Sequence, residues 1–182
     1  MTRKISEVGR LGIYKIDLKS QEQAETSYNW LVDSDFFAAL DVEDIRNGHV
    51  SVDLTVTKSN SREFELAFVL HGDVDVPCDR CLEDMPIDID TDGTLTVRLG
   101  DDFADDGDVI VVPEADGSIN VSWYIYEFIS LAVPLKHVHA PGKCNKEMTE
   151  QLEKHTSPDF DDNGERPANV DWSGLENLKF EE

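Results

Sequence analysis

The sequence is short of basic residues. Its 182 residues include 16 lysines and arginines against 39 aspartates and glutamates, for a formal net charge of −23. Binding to a phosphate backbone requires clustered cations that displace counterions. The charge balance therefore opposes direct nucleic-acid binding as the main activity, and it favours basic partners such as nucleic-acid-binding proteins.

Long apolar runs and an export signal are also absent from the sequence. The most apolar stretch, residues 125–135, contains Glu127 and is far shorter than the roughly 20 residues that span a bilayer. The basic residues that follow Met1 do not lead into an apolar segment. The cysteines number only three, and an odd number without an export signal is typical of a reducing compartment. We therefore expect a cytoplasmic protein with no membrane partner.

Motifs of common enzymes are missing as well. There is no glycine-rich phosphate loop and no Gly-x-Ser-x-Gly sequence. The carboxylates cluster in loops, such as residues 101–108 with five aspartates, and give no sign of a paired acid and base. That loop favours a solvated segment over a calcium site, because no glutamate occupies the twelfth position of a calcium-loop pattern. We expect a protein that is not an enzyme.

Alternating apolar and polar residues predict a β-sheet. Residues 50–56 and 64–70 each have an apolar side chain at every second position, and Val74 and Val76 extend the second pattern, which is typical of half-buried strands. The polar residues 58–61 between them indicate a turn, so the two segments predict an antiparallel hairpin. The second strand should end at Pro77, immediately before a pair of cysteines.

The predicted sheet has further strands on both sides of this hairpin. Residues 10–19 alternate loosely and could form an opening strand. Alternation resumes over residues 87–89 and 95–99, and Asp92-Gly93 between them is a turn signal. Residues 109–112 predict one more short strand.

Two helices are expected beside the sheet. Residues 121–133 have apolar side chains at helical spacing and on most other sides, which predicts a buried helix that Pro134 ends. Ser34-Asp35 could cap a short helix over residues 36–40. The fold class is therefore α+β, with a mainly antiparallel twisted sheet, one buried helix and a flexible acidic C-terminal segment.

Composition divides the chain into three parts. We expect an α+β domain at residues 1–145, a polar linker at residues 146–169 and an apolar coda at residues 170–182. The coda would dock on the domain or hold a partner. Three of its apolar side chains share one helical face: Trp172, Leu175 and Leu178.

The most informative motif is a single Cys-x-x-Cys turn formed by Cys78 and Cys81. Cys144 lies far along the chain, shortly after His137 and His139. Two thiolates on one turn, with a cysteine and a histidine from a distant segment, can complete a tetrahedral zinc site. The spacing leaves three interpretations open: a metal site, unliganded thiols, and a redox pair.

Residues around the turn weigh against the redox interpretation. A thiol–disulfide centre usually places its first cysteine at a helix N-terminus, which lowers the thiol pKa. Here a strand and Pro77 precede the turn. We also expect the negative field of Asp79, Glu83 and Asp84 to raise a thiol pKa, although Arg80 partly offsets it.

The motif Cys78-Asp79-Arg80-Cys81-Leu82-Glu83 resembles that of the YceD family, the large ribosomal RNA subunit accumulation proteins. In that family a Cys-x-Arg-Cys turn follows a pair of strands, and an acidic loop comes next. A hydrophobic helix then ends in Leu-Ala-Leu-Pro, with a histidine and a cysteine soon after. The corresponding residues here are Leu131-Ala132-Val133-Pro134, His139 and Cys144. The resemblance covers residues 10–145 and the coda.

The resemblance implies a metal site formed by Cys78, Cys81, His139 and Cys144. The family tends to have proline two residues before its histidine, and His137 occupies that position here. His139 therefore takes the family position, and His137 is the alternative ligand. A zinc ion at this site would be structural and would tie residues 78–81 to residues 139–144.

The resemblance also implies a bacterial, cytoplasmic factor that supports synthesis, processing or stability of large-subunit ribosomal RNA. Because of the net charge, we expect it to act through a basic ribosomal protein or the assembling large subunit. The alternatives are direct RNA binding by the exposed sheet face and a thiol–disulfide oxidoreductase that uses Cys78 and Cys81. One local concentration of basic residues could touch phosphate or simply be solvated: Arg3, Lys4, Arg10, Lys15 and Lys19.

Overall fold

A computed structural model describes residues 11–155 except 106 and 108. The strands are β1 (Lys15–Asp17), β2 (Glu25–Val32), β3 (Asn47–Lys58), β4 (Glu63–Pro77), β5 (Asp84–Gly100), β6 (Ala104–Asp105), β7 (Val109–Pro113) and β8 (Ser118–Asn120). The helices are α1 (Ser34–Leu40), α2 (Ser122–Ala132) and α3 (Lys146–His155), and Leu11–Tyr14 forms a short 3₁₀ helix. This content confirms an α+β fold dominated by its sheet.

Most of the strands belong to one sheet with the order β2-β3-β4-β5-β7-β6. All neighbours in it are antiparallel except β5 and β7, which are parallel. Strands β1 and β8 form a separate antiparallel pair. The predicted opening strand over residues 10–19 is thus shorter than expected, because a 3₁₀ helix takes its first half.

The predicted central hairpin is confirmed. Strand β3 pairs with β4 along the whole length of β3, and Leu54 faces Phe68 in this register. Both side chains are buried, as are their apolar neighbours at every second position. The period of two therefore places one row of side chains in the core, and burial of these rows is the main source of stability for the sheet.

The predicted turn at Asp92-Gly93 is wrong, because β5 continues straight through it. Gly93 faces the core opposite Phe68. The ring of Phe128 from α2 lies so close that a Cβ atom on Gly93 would be 2.2 Å from it. The glycine is needed for close packing of an aromatic ring on the strand, which is a common reason for glycine within a strand.

Helix α2 is half-buried instead of covered on most sides. Ile125 and Ile129 are buried, whereas Trp123 is 49% exposed and Leu131 is 83% exposed. The helix packs on one face of the sheet, so only a stripe at spacings of three and four residues reaches the core. Helix α1 is found where a short helix was predicted, but it begins at Ser34, and its cap is Asp33, whose side chain accepts hydrogen bonds from the backbone of Asp35 and Phe36.

Within the described part of the chain, the residues up to Cys144 form one compact unit, and a second begins at Asn145. The second unit starts with α3, where the polar composition predicts a linker. Asn145 accepts a hydrogen bond from Met148 N–H, and Glu147 and Lys154 lie at the helix ends that suit their charges. The division into domain, linker and coda stays a prediction, and Trp172, Leu175 and Leu178 lie outside the described residues. None of the described helices is long and apolar enough to cross a membrane.

Candidate metal centre

The Cys-x-x-Cys turn joins β4 to β5 at the tip of the longest hairpin in the described sheet. Pro77 pairs with Asp84, so residues 78–83 form the connection. Cys78 N–H donates to the Glu83 carbonyl, and Leu82 N–H donates to the Cys78 carbonyl, both at 2.9 Å. Leu82 has a φ of 61°, which is rare for a residue with a side chain. This turn geometry directs both thiols to the same side.

The segment after α2 is fastened to this turn by Asp79 and His137. Asp79 N–H donates to the His137 carbonyl at 2.9 Å. In return, His137 N–H donates to the Asp79 carboxylate at 2.8 Å. The His137 ring also faces this carboxylate, with Nε2 3.4 Å from Oδ1. We call this reciprocal pair the Asp79–His137 clamp.

The clamp brings together the four side chains that the sequence singled out. The ligand atoms of Cys78, Cys81, His139 and Cys144 all lie within 4.8 Å of one another. The Cys78 and Cys144 sulfurs are 4.0 Å apart. Cys81 Sγ is 3.4 Å from His139 Nδ1. His137 is engaged in the clamp and is outside this group.

The two closest of these contacts match the spacing around a tetrahedral zinc ion. Bonds of about 2.3 Å to sulfur and about 2.0 Å to nitrogen place two sulfurs about 3.8 Å apart, and a sulfur about 3.5 Å from a nitrogen. The observed 4.0 Å and 3.4 Å are close to these values. All three cysteines are free thiols, so none is consumed by a disulfide. The donor set and its spacing therefore suit zinc, while metal binding itself stays a prediction.

The turn cysteines of the group are deeply buried, whereas His139 and Cys144 are half-buried. Cys78 is 0% exposed and Cys81 is 3% exposed. Four protein side chains fill every position of a tetrahedral ion, whereas a catalytic zinc keeps one position for water or substrate. Such a centre can tie distant segments together, and it offers no open coordination position.

The thiols of this group have unequal acidity. Burial raises the pKa of Cys78, but hydrogen bonds from backbone N–H groups, Arg80 first, outweigh it and lower that pKa to about 6. Burial and the neighbouring thiols raise the pKa of Cys144 to about 11. Hydrogen bonds to Cys78 and Cys81 raise the pKa of His139. Cys78 is therefore already a thiolate that can bind a cation at neutral pH, whereas Cys144 must first lose its proton.

Two features of the site were not foreseen from the sequence. The acidic residues near the turn were expected to raise a thiol pKa, and for Cys78 this is wrong because backbone N–H groups dominate. The clamp was not predicted either. From the sequence, Asp79 was expected only to contribute negative charge near the thiols, and His137 only to be an alternative metal ligand. Of the N-terminal basic residues, Lys15 and Lys19 are exposed, and the other three lie outside the described residues.

The fold and the site define an α+β protein with a candidate structural metal centre at the tip of a hairpin. Among known families, the chain belongs to the YceD family, described as large ribosomal RNA subunit accumulation protein YceD, whose family model matches residues 66–179. The match covers more than half of the chain and contains the whole Cys₃His group. No curated protein and no solved structure matches the chain.

Proposed function

We propose that this chain is a non-enzymatic factor that supports the synthesis, processing or stability of large-subunit ribosomal RNA. We further propose that it works in the cytoplasm through a basic ribosomal protein or the assembling large subunit. In this proposal Cys78, Cys81, His139 and Cys144 hold one structural zinc ion. Membership of the YceD family supports the role in large-subunit RNA accumulation.

The observation that carries the non-enzymatic part of the proposal is the closed Cys₃His group. Its ligand atoms lie within 4.8 Å of one another, and they supply four ligands without an open position. When bound there, zinc would stabilise the fold by linking the hairpin tip to the segment after α2. The chain's own residues would then present fixed surfaces to a partner instead of carrying out a reaction.

The oxidoreductase alternative is less well supported. A pKa of about 6 for Cys78, which backbone N–H groups bring about against the effect of burial, favours a reactive thiolate. However, the Cys78 and Cys81 side chains are buried, and attack on a disulfide requires an accessible sulfur. A slow reaction of both thiols with a disulfide reagent would agree with the structural role.

Direct RNA binding is opposed by the charge of the exposed sheet face. The outward positions of β4 and β5 include Asp73, Asp88, Asp90 and Asp92, which would repel phosphate. An RNA-binding sheet usually presents aromatic and basic residues instead. RNA affinity that falls steeply with added salt would favour this alternative over the proposal.

The proposed function can be tested in cells that lack the protein. We expect the ratio of large-subunit to small-subunit ribosomal RNA to fall, and expression of the intact chain to restore it. A Cys81→Ser variant should restore it poorly, whereas a Thr94→Ala variant, changed at an exposed position of β5, should restore it fully. An unchanged RNA ratio in cells without the protein would contradict the proposed function.

A further inference from the structure

The two faces of the six-stranded sheet differ sharply in composition. The inner face is apolar, whereas the outer positions of β3, β4 and β5 are mostly polar. We define the acidic face as the outward-facing residues from the level at which Asn29 pairs with Asp53 to the level at which Asn47 pairs with Asp75, both levels included. It carries no lysine or arginine among the described residues. Its acidic side chains are Asp53, Asp73, Asp75, Asp88, Asp90 and Asp92.

Charges on the acidic face repel one another. Asp73 lies directly opposite Asp88 on the neighbouring strand, and such like-charged pairs destabilise a sheet. Asp88, Asp90 and Asp92 follow at every second position, about 6.6 Å apart, which is within the Debye length of about 8 Å at physiological salt. The potentials of these carboxylates therefore add up to a strongly negative surface.

Partners within the protein neutralise only part of this charge. His71 lies 2.9 Å from Asp90 and is charged only when protonated. Within the described part of the chain, Asp73, Asp88 and Asp92 take part in no ion pair. Cations from another molecule would relieve the repulsion, so the face is complementary to a basic ligand.

Exposed apolar side chains lie on the same surface. Leu31 is 65% exposed and Val69 is 40% exposed. Val69 stands between Asp53 and Asp92 in the sheet register. Lysine and arginine have long aliphatic stems that cover apolar surface while their charged ends reach carboxylates. This combination suits basic side chains better than small inorganic cations.

We propose that the acidic face is the docking surface for an extended lysine- and arginine-rich segment of a protein partner. The seven residues of β5 from Pro86 to Asp92 span about 20 Å, enough for a basic segment of about six residues. The inference rests on the proposed function, which calls for a basic partner, and adds where and in what form that partner binds.

The test compares two variants of the full chain with the same change in net charge. In the face variant, Asp73→Asn, Asp88→Asn and Asp92→Asn remove three charges from the acidic face. In the control variant, Asp101→Asn, Asp102→Asn and Asp116→Asn remove three exposed charges from loops outside it. The probe is a fluorescent 16-residue peptide of alternating lysine and alanine, and its affinity is measured by anisotropy at low and physiological salt.

We expect the face variant to bind the peptide about tenfold more weakly than the native chain, because each exposed ion pair contributes a few-fold to affinity. The control variant should lose less than about threefold. Equal losses in both variants would show binding by bulk charge alone and would overturn the inference. Absence of peptide binding, or tighter binding of a single-stranded RNA of equal length, would also overturn it. Thermal melts should show both variants folded.

The same variants separate this inference from the proposed function. In cells that lack the protein, the control variant should restore the ratio of large-subunit to small-subunit ribosomal RNA, and the face variant should not. Restoration by both variants would overturn the docking surface and leave the proposed function standing. If loss of the protein leaves the ratio unchanged, the proposed function fails, and the peptide experiment still decides whether the face binds basic segments.

Discussion

The sheet and the cysteine corner, which comprises residues 78–83 and 137–144, are stabilised in different ways. The sheet buries a continuous set of apolar side chains from β3, β4, β5 and α2. The cysteine corner depends on a few polar contacts between the hairpin tip and the segment after α2. Hydrophobic burial requires no cofactor, whereas a small corner with four potential ligands gains most from a bound metal. We therefore expect the corner to depend on zinc and the sheet to be largely independent of it.

Loss of a ligand should give the largest effect. We expect Cys81→Ser to abolish zinc binding and to lower the free energy of unfolding by about 4 kcal/mol when free zinc exceeds the native Kd about a thousandfold. Thermal unfolding with zinc and with excess chelator measures this. In chelator, the variant and the native chain should unfold at similar temperatures. An unchanged melting temperature in zinc would contradict the account.

A change of pH should affect zinc affinity nearly as strongly as loss of a ligand affects stability. Burial and neighbouring thiols raise the pKa of Cys144 to about 11, so this thiol must release its proton when zinc binds at neutral pH. Affinity should therefore weaken at least tenfold for each pH unit from 8 to 6, and more steeply where His139, whose pKa is raised, and then Cys78, with a pKa of about 6, also take up protons. Competition with a chelator of known pH dependence measures it, and a pH-independent Kd would refute this description of the ligands.

The sheet can be weakened without affecting the corner. Gly93→Ala would place a Cβ atom 2.2 Å from the Phe128 ring. Overpacking of this kind costs about 1–3 kcal/mol. Unfolding in denaturant should show this loss equally with zinc and with chelator, and zinc affinity should be unchanged. A loss seen only with zinc would mean that the sheet and the corner are not independent. Thr94→Ala, on the exposed side of β5, is the matched control.

The smallest predicted effect concerns the clamp. His137→Ala removes the ring that faces the Asp79 carboxylate but leaves the backbone hydrogen bonds in place. We expect a loss of about 1 kcal/mol in stability and of about tenfold in zinc affinity, with one zinc still bound per chain. Isothermal titration distinguishes this from His139→Ala, which should lose the site. If His137→Ala abolishes binding and His139→Ala does not, His137 is the ligand.

Much of the sheet could be predicted because alternation is a local signal. The β3–β4 hairpin and the end of β4 at Pro77 follow directly from it. Gly93 was misjudged because its role depends on Phe128, which is distant in sequence and reaches it only in the folded chain. Helix α2 was located correctly, but its exposed Leu131 shows that composition cannot tell which apolar positions meet the core.

The candidate site was predicted partly from the chemistry of its side chains and partly from the order of motifs in the YceD family. Cysteine and histidine are strong ligands, so Cys78, Cys81 and Cys144 stood out, and the family position favoured His139 over His137. The structure brings Cys78, Cys81, Cys144 and His139 together and gives His137 another contact. The Asp79–His137 clamp depends on backbone hydrogen bonds between distant segments, which no local pattern reports.

The most direct test of the account is elemental analysis of the freshly purified, reduced and untagged protein. We predict about one zinc ion per chain, absent from a Cys78→Ser variant prepared in the same way. A native protein that contains no metal, and that takes up none from excess zinc, would contradict the structural zinc centre. The thiols would then be packing residues or a redox pair, and redox titration would decide between them.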